Sequence, residues 1–420
     1  MTSAPTQPAA APSDEPAFGC PVRPEFDFFV GDRPAESGFR EFDGFAAAGS
    51  PIFRADQGQG YYVVTEYEEI LNGLQDPSVF SSSASIPTEP DPLFRMIPLH
   101  LDPPVHTYWR QVLGQYFSPG RVEGITDKIR ARCRHLLDDL DGRGSADFVT
   151  DFARLYPTAI FLELLGLPGD ELPRFMAWEH DILHGTTESD PGRVKAGQAA
   201  ADVSAYLGEL LAERIAAGSA GDGRDDLITA AAGWRINGAP PSTEDLLNCL
   251  LLLFMAGLDT VANQLSYAFH HLATHPADRQ LLVEDPSKIP NAVEEMLRAF
   301  PIVVLSRKVT TDTEIAGCPI GQGEMVVFPL TAAGRDEGTF AHATDVDLER
   351  SDVRHLSFGA GPHRCLGSHL ARRELVIALE EWHRRIPDYT LVDGAEVTEH
   401  SGGVYGIDTL ALTWPVTSSR

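Results

Sequence analysis

A glycine-rich loop that ends in a cysteine and runs straight into an amphipathic helix constrains this chain more than any other stretch. It reads Phe358-Gly359-Ala360-Gly361-Pro362-His363-Arg364-Cys365-Leu366-Gly367, with helical periodicity from Leu366 to about Arg385. A thiolate is a strong, soft ligand for a transition metal. A loop that opens a helix aims backbone N–H groups and the positive end of the helix dipole at that sulfur, which lowers a thiol's pKa. The glycines let the backbone pass close to something flat and bulky. The plainer alternative is a buried cysteine on a turn, because free Cys often packs as a small hydrophobe.

Composition narrows the class. The chain has 420 residues, room for one large domain or two to three average ones, and its 43% hydrophobic content suits a large core. Lys+Arg total 33 against 61 Asp+Glu, a net charge of −28. That argues against a nucleic-acid binder but leaves room for a local basic patch. Cys20, Cys133, Cys249, Cys318 and Cys365 are scattered and lack a C-x-x-C pair. Neither a disulfide scaffold nor a zinc site is expected, and the usage fits a reducing cytoplasm. The Ala/Pro/Ser/Thr-rich start lacks the charged and apolar regions of a secretory signal. Asp259 and Asn263 interrupt the longest apolar run, Leu246 to Leu258, short of the ~20 residues that span a bilayer. A cytoplasmic protein without a membrane segment is expected.

Residues 1 to about 24 read as low-complexity and disordered, and 25–420 as a single domain without linker or repeat. Periodicity predicts helices over Thr65–Gly73, Val105–Phe117, Arg121–Leu140, Ala146–Leu165, Asp170–His184, Pro191–Ala217, Gly223–Trp234, Ser242–His275, Pro276–Glu284 and Lys288–Phe300. Short strands are expected at Pro51–Arg54, Tyr61–Thr65, Leu305–Thr310, Thr313–Ile315, Met325–Leu330, Tyr389–Val392 and Thr409–Trp414. The class is mainly α with small β-sheets.

Three further patterns carry chemistry. Glu295 and Arg298 stand three apart on one helix face and can pair. Asp259 and Thr260 put a carboxyl and a hydroxyl inside an apolar helix, after Ala256-Gly257, whose small side chains admit a ligand near the backbone. Thr260 has a structural alternative, a bond to its own helix backbone. In Asp102-Pro103-Pro104-Val105-His106-Thr107-Tyr108-Trp109-Arg110, Asp102 reads as a helix N-cap, and His106 and Arg110 then share a face. Such a pair is usually solvated surface, but it can also hold carboxylates.

The pattern F-G-x-G-x-x-x-C-x-G, with Glu295-x-x-Arg298 before it, resembles the haem-ligand loop of the cytochrome P-450 superfamily, the haem-thiolate monooxygenases. The resemblance spans roughly Tyr61 to Trp414 and runs closest to soluble bacterial members of the camphor hydroxylase family. Gly257-Leu258-Asp259-Thr260-Val261, Glu294-Glu295-Met296-Leu297-Arg298 and His369-Leu370-Ala371-Arg372-Arg373-Glu374 carry it. It implies about a dozen helices, with haem b between the long central helix and the Cys-loop helix. It implies Cys365 as the axial iron ligand, and His106, Arg110, Arg307 and His363 at the haem propionates. Phe358 and Gly367 would flank the haem on the cysteine side, Ala256 and Gly257 on the other. Asp259 and Thr260 would pass protons to dioxygen. Glu295 and Arg298 would form a buried structural set completed by Arg350 or Arg354.

The same resemblance implies a reaction. One atom of O2 enters a C–H bond of a small apolar substrate, terpenoid or alkyl-aromatic. Electrons come from NAD(P)H by way of a separate reductase and [2Fe–2S] ferredoxin, since no such domain is fused here. Arg110, Arg364, Arg372 and Arg373 are candidate ferredoxin contacts, or plain surface charge. A monomer is expected. Phe94 and Leu305 stand where the camphor hydroxylases carry a tyrosine and an aspartate. Phe94, Met96, Phe254, Met255, Val303, Leu305 and Val404 would line an apolar pocket, although several suit an ordinary core equally well. The competing reading is a haem-thiolate sensor or carrier without turnover, which needs the cysteine loop but not the Asp259/Thr260 pair.

Overall fold

The structure is a computed structural model describing residues 20–92, 94–184, 189–190, 193–217 and 223–416. The chain opens with β1 (Arg33–Pro34), α1 (Ser37–Ala47), the hairpin β2 (Ile52–Ala55) and β3 (Tyr61–Val64), then α2 (Tyr67–Gln75) and β4 (Phe80–Ser81). Next come α3 (Val105–Gly114), α4 (Pro119–Asp138), β5 (Ser145–Asp147), α5 (Leu155–Leu165), α6 (Leu172–Leu183), α7 (Val194–Ala217) and α8 (Leu227–Ala231). The centre is α9 (Thr243–Leu258) and α10 (Thr260–Thr274), followed by α11 (Pro276–Glu284) and α12 (Ile289–Ala299). Strands β6 (Val304–Val309), β7 (Thr313–Ile315), β8 (Cys318–Ile320) and β9 (Met325–Pro329) lead to α13 (Leu330–Gly334). After an irregular meander come α14 (Ser368–Arg385), β10 (Thr390–Leu391), β11 (Thr398–His400), β12 (Gly406–Ile407) and β13 (Ala411–Thr413).

Sheets are small, as expected. The largest has the order β2-β3-β9-β6-β4, with β3 parallel to β9 and its other pairs antiparallel. It brings the early hairpin beside strands more than two hundred residues later. The main core lies among the helices. Trp382 of α14 is fully buried and meets Phe148, Phe152 and Phe269 edge-on at 5.1–5.2 Å. Such T-shaped packing adds to the area each ring buries. Five charge links among the described residues join α4 to α14 along their length: Glu123–Arg373, Arg130–Glu380, Arg130–Glu381, Arg134–Glu381 and Asp138–Arg385.

Several expectations are revised. The helix expected over Ser242–His275 is broken at Asp259, whose backbone (φ −108°, ψ −41°) ends α9 and begins α10. Ser242 caps it as expected, accepting from Asp245 N. Thr243–Thr274 is long and apolar enough to cross a membrane, but 61% of its most apolar window is buried inside the protein. It is the central core helix. Ala146–Leu165 is not one helix: it divides into β5, a π-turn over Val149–Ala153, and α5. Helix α1 carries Phe39, Phe42 and Phe45 into the core, and its polar spacing concealed it.

No disulfide scaffold is expected, and the structure pairs one set of cysteines, Cys20 with Cys318, with Cα atoms 5.4 Å apart. A separation of 298 residues hid the pair. Within the segment expected to be disordered, Val22 bridges to Arg54. Residues 1–19 of the expected disordered segment lie outside the described residues, as do 191–192 of the helix expected over Pro191–Ala217.

Candidate active site

The cysteine loop is held from both sides. Cys365 N donates to the Phe358 carbonyl at 2.7 Å, closing the loop on itself. Gly361 has φ +65°, and a Cβ there would come within 2.4 Å of the Leu74 carbonyl oxygen, so only glycine fits. Cys365 is open to solvent, yet protein atoms wall it in on several sides. Burial therefore pushes its thiol up, against the pull of a Gly367 backbone hydrogen bond and the charges of Arg110, Arg364 and Arg372. The lowered thiol expected from the helix start is not found in the free side chain, because desolvation wins. No atom lies within 4 Å of where a Cβ on Gly367 would stand. Phe358 sits beneath the Arg372 guanidinium, 4.4 Å from its centroid.

Four donor side chains converge beside this loop. The His106 and His363 rings lie 3.9 Å apart at 35°. Arg110 donates to the Arg364 carbonyl at 2.6 Å, which ties α3 to the cysteine loop. Arg307, on β6, is 4% exposed and donates to the Ser306 carbonyl at 2.8 Å, with no carboxylate in ion-pair contact among the described residues. Burial, aided by Arg110 and Arg307, brings His106 down to about 4 and His363 to about 2, and burial takes Arg307 to about 10. His363 Nε2 is buried without a hydrogen-bond partner. A buried group of donors with an orphaned nitrogen calls for an anion. The two propionates of a haem fit that demand, and the cysteine and open space at Gly367 fit its iron and ring.

The structure settles which arginine completes the buried set. Arg298 is fully buried and holds Glu295 with two bonds of 2.7 and 2.8 Å, and it also donates to the Gly334, Ala343 and Asp345 carbonyls. Arg350 Nε lies 3.1 Å from both Glu295 oxygens. Arg354 is on the surface with Asp352.

At the helix break, Thr260 Oγ1 donates to the Ala256 carbonyl at 3.3 Å, and Thr158 Oγ1 donates to the Leu258 carbonyl at 3.1 Å. Two hydroxyls thus serve carbonyls around the break. Gly257 has a different reason from the one its sequence implies: a Cβ there would lie 2.3 Å from the Phe161 ring of α5. It is small to let two helices meet, while Ala256 beside it is exposed. Asp259 is 3% exposed, and Asn263 Nδ2 donates to its Oδ2 at 2.7 Å. Its other oxygen lies 3.3 Å from His184 Nε2, which is also 3.1 Å from Glu179 Oε1. Burial alone would raise Asp259 and lower His184. Their mutual attraction reverses both, leaving the carboxyl below its usual range and His184 up at about 10. Sequence reasoning missed Glu179 and His184, because nothing in their spacing on α6 points to a helix seventy residues away.

The expected pocket residues separate into groups. Val303 bridges to Val404, and a Cβ on Gly359 of the cysteine loop would stand 3.6 Å from Leu305 Cδ1, ordinary van der Waals contact. Met96 is buried and Phe94 half-buried. Phe254 is 1% exposed and packs edge-on against Phe175 of α6 at 6.0 Å, which makes it core. Met255 is likewise buried on α9. Of the candidate docking arginines, Arg372 is held by both Glu294 oxygens and Arg373 by Glu123.

A mainly helical fold with small sheets, a cysteine loop at the head of a long helix and a cluster of donors beside it define a haem-thiolate protein. The profile of the family Cytochrome P450 matches residues 193–286 and 288–382. The chain is similar to "Probable cytochrome P450 127A1" of Sinorhizobium fredii, 36% identical over 372 residues, 87% of each chain. It is 31% identical over 365 residues to "Steroid C26-monooxygenase" of Mycobacterium tuberculosis, covering 87% of this chain and 89% of that one. The crystal structure of CYP101J2 superposes with a TM-score of 0.84 at 26% identity, over 97% of this chain and all of the other. The chain belongs to the cytochrome P450 family: it is a cytochrome P450 monooxygenase, and its cofactor is haem b.

Proposed function

We propose that this enzyme inserts one oxygen atom of O2 into a C–H bond of a small apolar substrate of terpenoid or alkyl-aromatic size. In this reading, electrons reach it from NAD(P)H through a separate reductase and [2Fe–2S] ferredoxin, and the protein works in the cytoplasm. The observation that carries the reading is the convergence of His106, Arg110, Arg307 and His363 beside Cys365, with His363 Nε2 unpartnered. Those four side chains would hold the haem propionates, and the Cys365 thiolate would hold its iron. When bound, the haem supplies dioxygen activation and oxygen insertion.

The chain's own residues orient and protonate. Phe358 and Gly367 leave the thiolate side accessible to a flat ring, and exposed Ala256 does the same on the central helix. Thr260 is held toward the helix break by its bond to the Ala256 carbonyl, and Asp259 stands next to it with a proton-bearing partner, His184. This acid–hydroxyl pair delivers protons to the oxygen-binding side. Val303, Leu305, Val404, Met96 and Phe94 hold the substrate by shape, with neither the tyrosine nor the aspartate of the camphor hydroxylases. Arg364, which makes no ion pair among the described residues, and Arg110 offer a ferredoxin its first positive charge.

The ferrous carbon-monoxide complex tests the haem-thiolate assignment. It should show the thiolate-ligand absorption band, and Cys365→Ser should abolish it. Thr260→Ala should keep the band and haem content while diverting electrons to hydrogen peroxide. Unchanged coupling of NAD(P)H to product would refute the proton role. A spin-state screen of small terpenoids and aromatics addresses the pocket, where tight camphor binding would overturn the shape argument. A thiolate band with no NAD(P)H-dependent product would favour a sensor.

A further inference from the structure

Asp259 is connected to solvent through side chains that the cysteine loop and the propionate cluster do not use. His184 meets the His400 ring of β11 edge to face, centroids 4.4 Å apart and planes at 85°. His400 Nδ1 is 2.7 Å from Asp408 Oδ1, while its Nε2 is buried and has no hydrogen-bond partner. Side-chain exposure falls along this line, from 38% at Asp408 to 15% at His400, 9% at His184 and 3% at Asp259. A Cβ on Gly406 would stand 2.4 Å from His400 Cε1 and 2.5 Å from Asn263 Oδ1, so the glycine lets the imidazole lie beside the partner of Asp259.

We propose that Asp408, His400 and His184 form a relay carrying protons from solvent to the buried Asp259 carboxylate. The proposal rests on the reading of Asp259 and Thr260 as the proton-delivering pair. An imidazole fixed through one nitrogen and bare at the other can take a proton on one side and release it on the other. Asp259 takes the proton carried on His184 Nε2. Losing it leaves His184 neutral with a proton on Nδ1, so a half-turn of its ring presents the bare Nε2 to His400 for recharging, and His400 takes its replacement from water with Asp408 holding its Nδ1. One solvent proton enters for each proton that leaves Asp259, so no charge accumulates. The transfer therefore needs rotation of both rings, that of His184 away from the carboxylates and that of His400 across the edge-to-face contact.

Glu179 keeps the relay poised. It faces His184 from α6, and Arg154 Nη2 holds its second oxygen at 3.2 Å. The other titratable neighbours of His184 are Asp259, His400 and His180, the last stacked at 5.3 Å. A carboxylate fixed by an arginine keeps an imidazolium in place between transfers.

The test uses the haem-loaded enzyme in its diamagnetic ferrous carbon-monoxide form, labelled with 15N-histidine. The readout is the rate at which the His184 ring N–H exchanges with water. His400→Asn retains a donor toward Asp408 but has no ring to charge, and it should slow that exchange about tenfold or more. The carbon-monoxide spectrum should not change. In turnover the same variant should show a larger solvent isotope effect on product formation. Asp408→Asn, which leaves both rings in place, should slow the exchange in the same direction and serves if His400→Asn does not fold. Wild-type exchange together with an unchanged isotope effect would overturn the relay while leaving the monooxygenase reading intact. A wild-type protein that binds haem but yields no NAD(P)H-dependent product would overturn that underlying reading instead.

Discussion

Glu295 is fully buried, and its charge is tolerated only because Arg298 and Arg350 both reach it. Removing one partner from such a set costs more than the set contributes, since a charge is left in low dielectric. Glu295→Gln should destabilise the haem-loaded protein by about 3–5 kcal/mol, measured by denaturant unfolding. It should do so without touching the haem pocket. Two of the three members of this set were legible in the sequence, because Glu295 and Arg298 stand three apart on one helix. The third member was not, since Arg350 and Arg354 share composition and neighbourhood and only the path of the meander separates them. Gly257 shows the opposite failure: a small residue next to a candidate ligand site is small for the sake of Phe161, which no linear spacing reveals.

That contact belongs to the meeting of α5 with α9. A methyl added at Gly257 would overlap the Phe161 ring, and the ring has no free end to move aside. Gly257→Ala should lower stability by about 1–3 kcal/mol, and trimming Phe161 in the same chain should recover part of the loss in a double-mutant cycle. The helix break two residues further on was not legible either. An apolar run with one carboxyl reads as continuous helix by periodicity, and its interruption depends on hydroxyls and carboxylates brought in by α5 and α6. Elements with strong periodicity, such as α4, α12 and α14, were placed nearly end to end from sequence. The short strands β1, β5 and β11 were not, because two or three residues carry no period and are strands only through their partners.

For the whole molecule, acid sensitivity concentrates in a few carboxylates. Burial raises Glu294 and Glu381, but hydrogen bonds from His355 and Arg372 bring the first to about 2, and those from Arg134, Arg130 and Arg384 bring the second to about 2. Both lie below the unfolded carboxylate value of about 4.3. Their stabilisation is therefore complete above that pH and is lost as pH falls toward 2. Glu381→Gln should flatten the acid limb of the stability curve and lower the plateau near neutrality. The Cys20–Cys318 link ties the first described residue to the β7–β8 hairpin. Under oxidising conditions Cys20→Ser should cost about 2–4 kcal/mol, and thiol counting should find Cys318 newly reactive.

The pairing of Arg372 with Glu294 and of Arg373 with Glu123 has a kinetic consequence. An acidic electron donor that seeks these guanidiniums meets an internal competitor already seated on them. Added salt then acts twice: it screens the approach of the partner, and it loosens the half-exposed internal pairs that would otherwise keep the partner out. Electron delivery should accordingly peak at an intermediate ionic strength rather than fall steadily from the lowest. Glu123→Gln should move that peak toward lower salt, because one competitor has been dismissed in advance.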